Sequence, residues 1–182
     1  MLILASKSPR RKEILEMAGL DFLVVTKEVE EDIEKSNPTL YVEKTAQKKA
    51  LAVFEDFKDD IILSADTIVT IDNLILEKPK NIDDARQMIK LISGKKHKVI
   101  TGVCLGTSNS HEVFSVETEV YVSKLSDEQI EEYILTSEPY DKAGGYAIQG
   151  IFGKYIEKIN GDYYNVVGLP INKIISKLNN IK

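Results

Sequence analysis

The sequence of 182 residues contains a single cysteine, Cys104. One cysteine cannot form an internal disulfide, and neither a zinc-type cluster nor a Cys-x-x-Cys redox motif can be built from it. Long apolar runs are also absent: none approaches the ~18–20 residues of a membrane span, and the apolar start reaches Lys7 too early for a signal peptide. We therefore expect a soluble, untargeted protein of the reducing cytoplasm that does not bind a membrane.

Basic residues are in the minority, since 24 Lys and Arg stand against 29 Asp and Glu and leave a net charge of −5. This balance disfavours the broad positive surface of a protein that binds DNA or RNA. If the protein binds a small polyanion, a local cluster of basic residues must form the binding site.

Prolines, repeats and low-complexity tracts are scarce. With five prolines and no linker-like stretch, residues 1–182 are predicted to form a single domain. Strand-like and helix-like patterns alternate and a long hairpin comes late, which predicts an α/β fold with a mixed central sheet flanked by helices. The predicted strands are residues 2–5, 22–25, 60–69, 99–105, 113–122 and 154–159, with a short strand that ends at residue 77. The predicted helices follow Ser8, Asn37, Asn81, Ser126 and Pro170, the second running to about Phe57.

The first predicted helix carries Arg10 and Arg11 in its opening turn, where the helix dipole penalises positive charge. Free backbone N–H groups, the hydroxyl groups of Ser6 and Ser8, and two guanidinium groups together form an anion site. The alternative is a solvated basic turn.

The second long helix has a narrow apolar stripe that consists of Val42, Ala46, Val53 and Phe57. Lys49 lies in the middle of this stripe, whereas Lys48 points the opposite way. A lysine there either extends along its stem to solvent or meets a partner charge. Lys49 is therefore the lysine of this helix most suited to enter a site.

Asp66 lies within an apolar strand, where an ionised carboxylate needs a cation, a metal or several hydrogen bonds. A buried structural salt bridge is the alternative. Lys78, in the turn before Pro79, is a further candidate, although a lone lysine in a turn is usually solvated.

The acidic run from Glu28 to Glu34 is either a solvated loop or a segment in which Glu30 or Glu31 helps to hold a divalent cation. No Walker P-loop, dinucleotide fingerprint or nucleophile elbow is present. Cationic groups with an isolated carboxylate indicate metal-assisted hydrolysis of a phosphate compound.

Six segments, in order along the chain, resemble the motifs of the Maf nucleotide pyrophosphatases. They are Leu4–Arg11, Ser64–Val69, Glu77–Pro79, Ser93–Val103, Asp141–Gly144 and Gly161–Pro170. The resemblance implies hydrolysis of a nucleoside triphosphate to the monophosphate and pyrophosphate, with a divalent metal, Mg²⁺ or Mn²⁺, as cofactor. It also implies a cytoplasmic homodimer with a fold similar to the inosine triphosphate pyrophosphatases.

Residue roles follow from the same resemblance. Asp66 would accept the proton of the attacking water and would touch the metal together with Glu31. The other implied groups that bind or support the phosphates are Ser6, Arg10, Arg11, Lys49 and Lys78.

Ile148-Gln149-Gly150 is similar to the dTTP/UTP branch of the family, in which Arg10, Thr67 and Gln149 would be the specificity positions. A side-chain amide suits the O4 and N3–H edge of thymine or uracil, whereas the branch that acts on 7-methyl-GTP usually carries a carboxylate. The alternatives are the same chemistry on 7-methyl-GTP or other non-standard nucleotides, and a nucleotide-binding regulator of cell division.

Overall fold

Strands and helices alternate along residues 1–30 and 32–181, the part of the chain that this computed structural model describes. The strands are β1 (Leu2–Leu4), β2 (Leu23–Val24), β3 (Ile61–Ile71), β4 (Leu74–Leu76), β5 (Lys96–Gly106), β6 (His111–Val122) and β7 (Ile156–Asn160). The helices are α1 (Pro9–Met17), α2 (Pro38–Phe54), α3 (Ile82–Ile92), α4 (Asp127–Ile134), α5 (Tyr163–Val167) and α6 (Ile171–Leu178). Short 3₁₀ turns cover Glu138–Asp141, Ala143–Gly145 and Ile151–Tyr155.

The strands form a mixed sheet in the order β2-β1-β3-β5-β6-β7, and β4 pairs with β3. The predicted fold class, a mixed central sheet flanked by helices, is therefore confirmed. Over the described residues, no helix has both the length and the apolar character needed to cross a membrane. Contacts between backbone positions divide the chain into two compact units, and the prediction of a single domain stays a prediction.

The first unit consists of the described residues of Met1–Thr67, Thr101–Val116 and Gly168–Lys182. Its strand β1 pairs in parallel with β2 on one side and β3 on the other, so α1 and α2 are the crossovers of two β-α-β units. Ala46, Ala50 and Val53 of α2 belong to the same core cluster as Ile3 of β1 and Ile62 of β3. The apolar stripe of α2 is thus the face that packs on the sheet.

Helix α2 begins as predicted and ends earlier. The Asn37 side chain accepts a hydrogen bond from the Leu40 N–H at 3.1 Å, and Pro38 occupies the first turn. The helix was predicted to reach Phe57 but ends at Phe54, because the N–H groups of Asp56 and Phe57 both turn back to the Val53 carbonyl. Phe57 still packs against the core cluster of the first unit from outside the helix.

Gly102 of β5 lets α2 approach the sheet closely. A Cβ atom at this position would lie 2.4 Å from the carbonyl carbon and oxygen of Val42, which are backbone atoms that cannot rotate away. We expect Gly102→Ala to lower the free energy of unfolding by about 1–3 kcal/mol or more, because the core would be overpacked. Urea unfolding measures this loss, and an unchanged midpoint and slope would contradict the close approach.

The second unit consists of Ile68–Ile100 and Glu117–Val167. The end of β3 and β4 form a hairpin whose two turn residues, Asp72 and Asn73, have φ values of 50° and 64°, as a tight two-residue hairpin turn requires. Helix α4 follows Ser126 as predicted and begins with a capping box, in which Ser126 and Gln129 form reciprocal hydrogen bonds. The core of this unit includes the aromatic side chains of Tyr133, Tyr146, Phe152 and Tyr155.

The second unit differs in detail from what the sequence predicted, and β5 starts at Lys96 rather than at residue 99. The strand predicted to start at Lys154 starts at Ile156, because a 3₁₀ turn precedes it. Helix α5 was not predicted, since its Tyr and Val residues favour strands. Its N-terminal signal is Asp162, whose side chain accepts a hydrogen bond from the Asn165 N–H at 3.1 Å.

Candidate active site

Strand β3 and helix α2 bring Asp66 and Lys49 together in the first unit. Ser64 and Asp66 share one face of β3 because side chains alternate along a strand. The Ser64 hydroxyl donates to the Ala46 carbonyl at 2.6 Å, and Ala46 lies about one helical turn before Lys49. This hydrogen bond holds α2 against β3 so that Lys49 lies opposite Asp66. The Lys49 Nζ atom donates to Asp66 Oδ1 at 2.8 Å.

The Lys49–Asp66 ion pair is neither fully buried nor fully solvated. The two side chains are 23% and 17% exposed, respectively. A pair in this position is shielded from bulk water and can still be reached by a ligand. The prediction that Lys49 enters a site rather than solvent is consistent with this contact, although its catalytic role stays a prediction.

Lys48, the neighbour of Lys49 on α2, has a surface partner instead of Asp66. Its ammonium group contacts the exposed carboxylate of Asp32. The two adjacent lysines of α2 thus have separate acidic partners, and only Lys49 meets Asp66.

Arg11 binds three separate segments of the first unit. Its guanidinium group donates to Ser6 Oγ at 2.9 Å, to Thr67 Oγ1 at 3.0 Å and to the Gly168 carbonyl at 2.8 Å. The pKa of Arg11 is lowered to about 10, chiefly because the group is buried; the charge of Asp66 raises the pKa and that of Arg10 lowers it. Arg11 therefore stays cationic at neutral pH while three of the five guanidinium N–H groups are used within the protein.

Ser6 and Thr67, two predicted substrate-binding residues, are held by this network. Ser6 Oγ also accepts from the Ser8 N–H at 3.3 Å, which orders the entry to α1. Thr67 Oγ1 lies 2.9 Å from Thr101 Oγ1. Neither Thr101 nor Gly168 was predicted to belong to the site, although each lies in a segment that resembles a Maf motif.

Arg10 differs from Arg11. Its side chain is half-buried, and it makes no ion pair with any acidic residue that the structure describes. Its charge is near enough to act on Arg11. Among the described residues, Arg10 is therefore the arginine of this pair whose charge is not paired with a carboxylate, whereas Arg11 donates to three protein acceptors.

A cavity of about 340 Å³ opens beside these groups in the first unit. Its lining residues are Ala5, Ser6, Lys7, Thr26, Lys27, Glu28, Val29 and Lys49. Most of them follow the carboxyl ends of the parallel strands β1 and β2, where open α/β sheets bind ligands. Among the described residues that line the cavity, three carry an ammonium group and one a carboxylate. Each lysine also has an acidic partner, Glu28, Asp56 and Asp66 respectively, so an anion that enters would compete with these ion pairs.

A divalent cation fits the donor set that this unit offers. Over residues 1–30 and 32–181, no group of three His, Cys, Asp or Glu side chains could hold a metal ion. Mg²⁺, however, is commonly held by one or two carboxylates plus the phosphates of a substrate. The partly exposed carboxylate of Asp66 meets that requirement. Glu31, the other predicted ligand, lies outside the described residues.

Lys78 and Gln149 lie in the second unit. Lys78 is exposed and sits between Glu77, whose carbonyl accepts from the Gly144 N–H at 3.2 Å, and the buried Pro79. Gln149 is exposed in a turn in which the Gly150 N–H donates to the Ala147 carbonyl at 3.1 Å. The predicted roles of both residues stay predictions.

His97 of β5 is buried in the second unit, with its Nε2 atom 2.6 Å from the Tyr146 hydroxyl oxygen. Burial lowers the pKa of His97 to about 4.

This low pKa predicts a pH-dependent stability. Between about pH 6.5 and pH 4, His97 is protonated in the unfolded chain but neutral in the folded chain. The free energy of unfolding should therefore decrease as the pH falls through this range, by up to about 3 kcal/mol. We expect this part of the pH dependence to disappear in His97→Gln, as measured by urea unfolding at pH 7 and pH 4.5. Equal pH dependence in the two proteins would refute it.

The sequence is similar to those of known proteins over nearly its whole length. The family described as Maf-like protein matches residues 1–181. The chain is 50% identical over 177 residues to a dTTP/UTP pyrophosphatase of Bacillus cytotoxicus, covering 97% of this chain and 93% of that protein. It is 47% identical over 180 residues to a dTTP/UTP pyrophosphatase of Acholeplasma laidlawii, covering 98% and 95%.

Among solved structures, the Staphylococcus aureus Ham1 protein is similar in fold. The two share 11% sequence identity and a TM-score of 0.50, over 66% of this chain and 71% of that one. The family match over almost the whole chain and the high identity to its relatives agree with the motifs in the sequence. The chain belongs to the Maf family.

Proposed function

We propose that the protein hydrolyses dTTP and UTP to the nucleoside monophosphate and pyrophosphate. The observation that carries this proposal is the contact of Asp66 with Lys49, a residue that lines a cavity with three lysines. The identity of about half of all residues to proteins named dTTP/UTP pyrophosphatase supports the choice of substrate.

In this proposal, Asp66 accepts a proton from the water that attacks the α-phosphorus. The bond between the α-phosphorus and the oxygen that bridges to the β-phosphorus breaks, and pyrophosphate leaves. Lys49 orients the Asp66 carboxylate through its 2.8 Å contact and adds positive charge where phosphate charge accumulates.

The phosphates would be bound mainly by Arg10, which is not paired with an acid among the described residues. Lys78 would add a point charge, as the family resemblance implies. Arg11 and Ser6 would support the phosphate-binding backbone, because their contacts with each other and with Thr67 leave them little freedom.

A divalent cation, Mg²⁺ or Mn²⁺, is part of the proposal, held by Asp66, Glu31 and the triphosphate. When bound, such an ion neutralises phosphate charge and polarises the P–O bonds. Asp66 would serve both as ligand and as proton acceptor.

Base recognition would depend on Gln149, Thr67 and Arg10. An amide group presents one donor and one acceptor to the O4 and N3–H edge of a pyrimidine. A homodimer in the cytoplasm completes the proposal, and sedimentation analysis would measure its oligomeric state.

The decisive experiment is to incubate the purified protein with a panel of nucleoside triphosphates and Mg²⁺ or Mn²⁺ and to measure pyrophosphate. We expect dTTP and UTP to be hydrolysed best and chelation with EDTA to stop the reaction. Preference for 7-methyl-GTP would contradict the substrate assignment. Binding without hydrolysis of any nucleotide would favour a regulatory protein.

A further inference from the structure

Gln149, the residue proposed to recognise the base, lies on irregular backbone in the second unit. Its side chain is exposed, and the turn around it, residues 147–153, is closed by hydrogen bonds from the Gly150 N–H to Ala147 and from the Gly153 N–H to Gly150, both at 3.1 Å. An exposed amide can select one base only if the backbone that carries it is held in one position. The turn therefore needs support from outside itself.

That support comes from Glu138, eleven residues before Gln149. Glu138 Oε1 accepts a hydrogen bond from the Ile151 N–H at 2.6 Å, and Oε2 accepts one from the Phe152 N–H at 3.1 Å. The hydroxyl of Tyr133 donates to Oε2 at 2.8 Å. Hydrogen bonds to an ionised carboxylate are stronger than neutral ones, so Glu138 fixes the backbone immediately after Gln149.

The turn is shaped to receive this carboxylate. A Cβ atom on Gly150 would lie 1.7 Å from Glu138 Oε1, so the carboxylate fills the space that any side chain at position 150 would need. Tyr133 is buried on α4, which anchors the other side of the carboxylate. The same tyrosine hydroxyl lies 2.8 Å from the Gly145 carbonyl, at the start of the segment that leads to Gln149.

We infer that Glu138 is a positioning residue for base selection, which acts by holding the turn that presents Gln149. The inference rests on the proposed function. Glu138 itself need not touch the nucleotide. Its loss should therefore weaken the recognition of pyrimidines more than it slows the chemical step.

Glu138→Gln tests this role, because an amide nitrogen cannot accept a backbone N–H bond. The measured quantity is the ratio of kcat/KM for dTTP to kcat/KM for GTP. We expect this ratio to fall about tenfold or more through a higher KM for dTTP, while kcat changes less than about twofold. Glu132→Gln, an exposed acid on the same α4 that precedes Glu138, is the matched control and should leave the ratio unchanged.

A double-mutant cycle shows whether Glu138 acts through Gln149. In a Gln149→Ala background, adding Glu138→Gln should change the ratio by less than about twofold. An unchanged ratio in the single variant, an equal loss for all nucleotides, or losses that multiply in the double variant would each overturn the inference. If Glu138→Gln does not fold by circular dichroism, Tyr133→Phe takes its place, and an unchanged ratio there overturns it equally. A wild-type protein that releases no pyrophosphate from dTTP or UTP would overturn the proposed function itself, before any variant is compared.

Discussion

Replacement of Asp66 with asparagine is expected to lower pyrophosphate release from dTTP by about 10²- to 10⁴-fold, the usual contribution of a general base. The amide has nearly the same shape and can still accept the hydrogen bond from Lys49 Nζ. It cannot accept the proton of the attacking water. The effect should therefore appear in kcat, with little change in the temperature of unfolding.

The Asp66→Asn result must be separated from misfolding. Circular dichroism and thermal unfolding of wild type and variant provide that control, because the side chains of Lys49 and Asp66 are partly exposed and the amide oxygen can still accept from Lys49 Nζ. Turnover close to that of wild type, in a correctly folded variant, would remove Asp66 from the mechanism.

Lys49→Ala is expected to give the second large loss, about 10²- to 10³-fold in kcat/KM, comparable to the removal of one group that stabilises a developing anion. The variant removes positive charge beside the cavity and leaves Asp66 without its 2.8 Å partner.

Lys48→Ala is the matched control for Lys49→Ala, since it removes the same side chain from the next position of α2. Lys48 contacts the exposed Asp32, and a surface pair of this kind contributes about 0–1 kcal/mol to stability. We expect its activity to stay within about twofold of wild type, because charge at an exposed position is screened. Equal losses in the two variants would contradict the assignment of Lys49 by helix face.

The sequence was sufficient to predict the parts of the site that depend on local periodicity. The stripe of Val42, Ala46 and Val53 predicted which face of α2 meets the sheet, and Lys49 lies on that face. The apolar pattern around Asp66 predicted a strand, and β3 spans it. Both inferences need only the repeat of a helix or strand, which a sequence displays directly.

The partners of Arg11 could not be predicted in the same way. The Gly168 carbonyl that accepts from Arg11 lies 157 residues further along the chain, and backbone acceptors carry no signal in a sequence. Thr101 was missed because a hydroxyl inside an apolar strand is common. From its residue type alone, Arg11 was predicted to bind phosphate. In the structure, three of its N–H groups donate to protein acceptors instead.

The hydrogen bonds of Arg11 also determine how much of the chain must be synthesised before this part of the site can form. The first unit is assembled from three stretches of sequence, and the last begins at Gly168. A nascent chain that ends before Gly168 lacks the carbonyl to which the Arg11 Nε–H donates, although β1, α1, α2 and β3 have already been made. The hydrogen-bond network of Arg11 is thus completed only after Gly168 has been synthesised, and a chain truncated before Gly168 should lose part of the support that this network gives to Ser6 and Thr67.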